Sequence, residues 1–119
     1  MPDDHPIVVT PASRRVRVLW RGHIIADTAG ALALKEHVYP PVFYIPRADV
    51  EMMFLRRTPS QTTCPYKGQA SYYSLAADGE TEEDAVWTYE TPKPEVASIK
   101  DHLAFFPDRV DAIEERPEA

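Results

Sequence analysis

Gln69-Ala70-Ser71-Tyr72-Tyr73-Ser74-Leu75-Ala76-Ala77-Asp78-Gly79, followed after an acidic stretch by Ala85-Val86-Trp87-Thr88-Tyr89-Glu90, decides the fold. Ala70, Tyr72 and Ser74 fall on one face of an extended chain and Gln69, Ser71, Tyr73 and Leu75 on the other, the period-2 pattern of a strand. Asp78-Gly79 with Glu80, Glu82, Glu83 and Asp84 reads as an exposed turn between two strands. The run from Ala85 is rich in aromatic and branched side chains and makes the return strand, with Trp87 and Tyr89 on one face. Pro92 and Pro94 end it, since proline has no backbone donor for a ladder.

The same alternation extends toward the N-terminus. Val16, Val18 and Trp20 alternate with Arg15, Arg17 and Leu19; Arg21-Gly22 supplies a turn and His23 to Thr28 the second strand of a hairpin. Residues 31–37 alternate again through Leu32 and Leu34, and Val42-Phe43-Tyr44-Ile45 follows Tyr39-Pro40-Pro41 as a fourth strand. Asp49 to Leu55 fits either one helical turn or a strand. The polar stretch Arg56 to Thr63, with Pro59-Ser60, predicts a loop. Toward the C-terminus, Pro94 to Lys100 suits a short helix and His102 to Phe106 a last strand, after which the acidic tail beyond Val110 is expected to fray. Residues 1–13 carry Pro2, Pro6 and Pro11 and predict an extended arm that orders only as an edge strand. The expected organisation is an arm at 1–13, a single domain at 14–113 and an acidic tail at 114–119. About seven short strands with one or two helical turns make a mainly β fold of antiparallel sheets.

Composition narrows the function. The chain has 119 residues, 44% of them hydrophobic, enough for one domain with a radius of gyration of roughly 14 Å. No apolar run approaches the ~20 residues of a membrane span, so a soluble protein with no membrane partner is expected. Cys64 is the single cysteine, which excludes an internal disulfide framework and a four-cysteine zinc site. Met1-Pro2-Asp3-Asp4-His5 lacks the basic and apolar regions of a secretory signal, so a cytoplasmic location is expected. The net charge of −6 resides mostly at the ends: residues 14–110 carry only −1, divided as +4 over 14–57 and −5 over 58–110.

The chemistry concentrates on Cys64-Pro65-Tyr66-Lys67-Gly68. A thiol, a phenol and an amine lie beside a glycine that permits close backbone approach. An ammonium near Cys64 would favour its nucleophilic thiolate, yet no histidine lies close in sequence to act as base. A packed cysteine and an ordinary surface lysine are the plainer reading. Tyr44, Tyr66, Tyr72, Tyr73, Trp87 and Tyr89 gather rings around this loop, either as pocket walls or as an aromatic core. His5, His23, His37 and His102 are scattered, and Asp49 with Glu51 reads as a solvated edge before a cation site, so no metal is expected. Arg14, Arg15, Arg17 and Arg21 form a basic strand and turn, but in an acidic chain a solvated strand face outweighs a nucleic-acid contact. Neither glycine-rich phosphate motif occurs.

Several spaced blocks resemble one family: Ala26-Asp27-Thr28; Tyr39-Pro40-Pro41 with Tyr44-Ile45-Pro46 and Asp49; Cys64 through Tyr72; Trp87-Thr88-Tyr89-Glu90-Thr91-Pro92; and Ala104-Phe105-Phe106-Pro107. In this order over residues 14–113 they are similar to the domain of unknown function family numbered 427. The resemblance implies a compact Mss4-like or β-tent arrangement, two antiparallel sheets meeting at an angle. Relatives by fold hold a structural zinc between paired cysteines; with Cys64 alone, this chain is expected to hold no zinc and to rely on aromatic packing. The family carries a label suggesting nucleotidyl transfer, which would need a Gly-Ser helix entry and paired acids for two metals; only Asp49 and Glu51 faintly resemble the latter. Ile45 stands where many members carry an aromatic residue, which reshapes any cavity beside Tyr44.

The expected function is binding of a small anionic metabolite in an aromatic pocket built from Tyr44, Cys64, Tyr66, Lys67, Gly68, Tyr72, Trp87 and Tyr89, without a cofactor. Two alternatives stand beside it: an enzyme using Cys64 or Lys67, and a structural module that self-associates through an exposed aromatic face.

Overall fold

A computed structural model describes residues 6–117. Ten strands run β1 (Ile7–Pro11), β2 (Arg15–Trp20), β3 (His23–Thr28), β4 (Leu32–Glu36), β5 (Val42–Pro46), β6 (Leu55–Cys64), β7 (Gly68–Ala77), β8 (Glu80–Tyr89), β9 (His102–Phe105) and β10 (Ala112–Arg116). They form a seven-stranded antiparallel sheet in the order β1-β4-β5-β9-β8-β7-β6 and a three-stranded sheet in the order β10-β2-β3. Short 3₁₀ turns at Arg47–Asp49, Met52–Phe54, Pro94–Ile99 and Pro107–Arg109 are the helical elements among the described residues. The radius of gyration is 14.1 Å.

The Arg21-Gly22 turn forms as read, whereas the turn expected over residues 78–84 narrows to Asp78-Gly79, because the acidic residues from Glu80 pair with β7 as the start of β8. Arg21-Gly22 has φ of 51° and 78°, and Asp78-Gly79 has 56° and 78°, so each pair occupies the left-handed region that matches the twist of the flanking strands. The stretch from Asp49 to Leu55 is neither one helical turn nor a strand: 3₁₀ turns at Arg47–Asp49 and Met52–Phe54 connect β5 to β6 of the large sheet, and between them the segment touches β3 of the small sheet, where Val50 bridges Ala26 and the Glu51 amide donates to the Ile25 carbonyl at 2.8 Å.

Three expectations are corrected. Arg56 to Thr63 is not a loop but most of β6, an edge strand whose side chains are largely solvent-exposed. Its polarity reflects that exposure, and Pro59 sits where the β6/β7 register shifts between Arg57 and Gln61, a position that demands no ladder donor. The tail does not fray after Val110: β10 pairs with β2 from Ala112↔Leu19 to Arg116↔Arg15. The arm packs as the edge strand β1 against β4, so strand order begins at Ile7, outside the expected 14–113 boundary. Residues 1–5 of that arm and 118–119 of the tail lie outside the described residues.

Two apolar clusters hold the molecule. One lies between the sheets, where Val16, Val18 and Trp20 of β2 and Ile25 of β3 meet Ile45, Tyr73, Leu75, Val86, Leu103 and Phe105. The other gathers Leu34, Tyr44, Ala70, Tyr89 and Ala104 from the large sheet beneath Val96 and Ile99. Because Leu34 on β4 and Ala70 on β7 share this cluster although three strands separate theirs, the large sheet wraps around it. Each large side chain so buried stabilises the fold by about 1.5–3 kcal/mol.

Candidate functional site

The Cys64–Gly68 connection is the β6/β7 turn, with Cys64 and Gly68 directly paired. Gly68 has φ of 114°, and a Cβ there would lie 3.3 Å from the Thr91 carbonyl oxygen, so glycine is required by conformation and by close approach of the strand exit after β8. That crossing is fixed by the Lys93 amide, which donates to the Lys67 carbonyl at 3.0 Å. Lys67 is buried, and its Nζ donates to Glu36 Oε1 at 2.6 Å. Cys64 is half-buried against the second apolar cluster, and Tyr66 is exposed.

The rings behave mainly as core. Tyr44 and Tyr89 are buried, 6.4 Å apart between centroids, and Trp87 stands edge-on to Tyr44 at 6.2 Å while its indole N–H donates to the Tyr44 hydroxyl at 3.2 Å. Burial pushes the Tyr44 phenol up to about 12 although the Trp87 donor opposes it, and burial raises Tyr89 well above its ordinary value, with Tyr44 and Cys64 adding to the effect. Tyr72 is half-buried, and its hydroxyl shares a 2.7 Å hydrogen bond with Thr62. The residues expected to form one pocket are thus brought together, but most of them as packed wall.

Open space lies against Trp87 instead. An apolar cavity of about 280 Å³ sits between the sheets, walled by Trp87, Phe43, Ile45, Phe105, Val18 and Ile113, with Pro41, Val42 and Pro107 completing it. β5 and β9 bring the two phenylalanines and Ile45, while β10 supplies Ile113 because its pairing with β2 places that residue opposite Val18. Trp87 is the member of the expected site that lines this cavity, and its ring packs on Phe106 at 4.4 Å. The remaining wall residues were not singled out from sequence as site residues. Pro41, Phe105 and Pro107 do stand in blocks that carry the family resemblance, as does Ile45, the position where this chain departs from the aromatic residue of many members.

With this geometry in view, comparison with protein families places the sequence: residues 8–116 match the family described as Domain of unknown function (DUF427), labelled NTP_transf_9. The chain belongs to the DUF427 family. No curated protein matches it. Asp49, one of the two acids considered for a metal, accepts a hydrogen bond from the Thr28 hydroxyl at 2.7 Å, and the described residues contain no group of three or more His, Cys, Asp or Glu side chains able to hold an ion. The basic strand is partly neutralised in place: Asp27 receives both Arg15 at 2.7 Å and Arg17 at 3.2 Å, and Arg21 lies 3.7 Å from Asp78. Among the described residues no helix is long and apolar enough to cross a membrane.

Proposed function

We propose that this DUF427 domain is a non-catalytic binding module for a small apolar or single-ring molecule seated against Trp87. The observation that carries this reading is the cavity of about 280 Å³ lined by apolar and aromatic residues. Apolar walls offer water few hydrogen-bonding partners, so an apolar occupant that covers them is favoured over solvent. The cavity's size is near the lower end of small-molecule sites, which fits one ring or a short acyl chain better than a nucleotide.

Lys67 enters this reading as a structural cation. An anionic ligand at its Nζ would have to displace Glu36 from a 2.6 Å contact, so the anionic group expected from sequence is not required. The two sheets are compatible with the Mss4-like arrangement that the family resemblance implies, in the cytoplasmic setting expected from sequence.

A thermal-shift comparison tests the reading: indole and phenol against octanoate and inorganic phosphate, with wild type, Ile113→Phe and Lys67→Met. Stabilisation by indole or phenol that disappears in Ile113→Phe and persists in Lys67→Met supports the cavity. Stabilisation by phosphate alone, lost in Lys67→Met, would overturn it in favour of the anion site.

A further inference from the structure

A second, shallow groove of about 600 Å³ is lined by Phe106 together with the polar side chains of Tyr72, Thr62, Gln61, Ser60, Asp84 and Arg109, among others. It exists because two ladders are interrupted at the same place: β6 shifts register between Arg57 and Gln61, and the β7/β8 pairing shifts between Tyr73 and Leu75. At the second interruption Asp84 adopts a φ of 49°, and its carboxylate accepts hydrogen bonds from the Thr58 and Ser60 hydroxyls, both at 2.7 Å. Those bonds hold Asp84 below the usual carboxylate range, so it presents an ionised acceptor at neutral pH.

The groove's remaining chemistry alternates donors and acceptors. Tyr72 and Thr62 share one hydroxyl hydrogen bond, which leaves further capacity on both oxygens. Gln61 accepts from Gln69 through Oε1, leaving its own amide donors for a ligand. Arg109 is engaged by the Glu82 carboxylate at 3.1 Å and the Glu83 carbonyl at 3.2 Å, and Asp84 and Asp108 both line the groove, so an anion is disfavoured. Hydroxyl, amide and carboxylate groups arranged beside an aromatic ring match a polyhydroxylated ring, whose hydroxyls take and give hydrogen bonds while its C–H face covers Phe106.

We propose that this groove binds a saccharide or similar cyclic polyol, independently of the apolar cavity behind Trp87. The test is a titration of the ¹⁵N-labelled protein with methyl α-D-glucopyranoside and methyl β-D-galactopyranoside, followed by amide and side-chain NMR shifts. At the usual ligand efficiency for about 13 non-hydrogen atoms, Kd is on the order of 1 mM. The expected result is saturable shifts at Gln61, Asp84 and Phe106 with one glycoside. Gln61→Ala, an exposed position, weakens binding about fivefold to tenfold with the rest of the spectrum unchanged. Phe106→Leu, which keeps apolar contact with Trp87 but removes the planar face, weakens it as well. Shifts that stay linear in concentration, saturation only outside the groove, an unaltered Kd in Gln61→Ala, or occupation by putrescine or inorganic phosphate in place of both glycosides would overturn the proposal.

Discussion

Lys67 Nζ lies 2.6 Å from Glu36 Oε1, joining the β6/β7 turn to β4 across the wrapped sheet, with side-chain exposures of 10% and 20%. At such exposure, removing one charge takes a short charge-assisted hydrogen bond from a poorly hydrated partner. Lys67→Met is therefore expected to destabilise the domain by about 2 kcal/mol, less than for a fully buried pair. Urea unfolding of the variant measures it, and Lys67→Met/Glu36→Gln should recover part of the loss; an unchanged midpoint in Lys67→Met would show the pair to be without consequence.

Gly68 and Gly79 make a matched comparison. Alanine at Gly79 meets only the cost of a left-handed backbone, about 1 kcal/mol, because nothing lies within 4 Å of its Cβ. Alanine at Gly68 adds a 3.3 Å approach to the Thr91 carbonyl at a φ of 114°, so about 2–3 kcal/mol is expected. Denaturant midpoints should fall in the order wild type, Gly79→Ala, Gly68→Ala.

These two glycines also mark what could be read from residues alone. Asp78-Gly79 and Arg21-Gly22 announced their hairpins because turn chemistry is local, and the alternation around Tyr72 and Trp87 announced two strands with both faces covered. β6 was hidden because an edge strand exposed on both sides has no alternation to detect, and Pro59 disguised a bulge as a loop. β10 was hidden because Ile113 is ordered by Val18, far away in sequence. The same non-locality hid the site: Lys67 could be recognised as chemically distinctive, but Glu36 is 31 residues away, and the cavity wall draws on β2, β5, β8, β9 and β10.

Tyr44 and Tyr89 predict alkaline sensitivity. Their folded values lie above the ordinary 10, so the neutral phenols contribute fully below pH 10. That contribution is lost as pH rises from 10 through about 12, where the unfolded chain ionises first. Tyrosinate absorbance should show Tyr44 and Tyr89 ionising above the ordinary value while the fold persists, and Tyr44→Phe should reduce the loss of stability over this window.

Asp84 and Asp27 act at the other end of the scale. Burial would raise Asp27, but its hydrogen bond and charge contacts with Arg15 and Arg17 outweigh this, and the Ser60 and Thr58 hydroxyls lower Asp84. Their contribution is present above the unfolded value of 3.8 and disappears as pH falls through the lower folded values. Thermal midpoints measured from pH 6 to pH 2 (roughly the span of carboxylate titration) should fall more gently in Asp84→Asn, a substitution that tolerates the positive φ.

The claim that the space against Trp87 is a binding site is tested most directly by methyl NMR of the labelled protein titrated with indole. The account predicts saturable shifts at the methyl groups of Val18, Val42, Ile45 and Ile113, which line the cavity, and their loss in Ile113→Phe. Unshifted cavity methyls at saturating indole, or an equal response in Ile113→Phe, would contradict it.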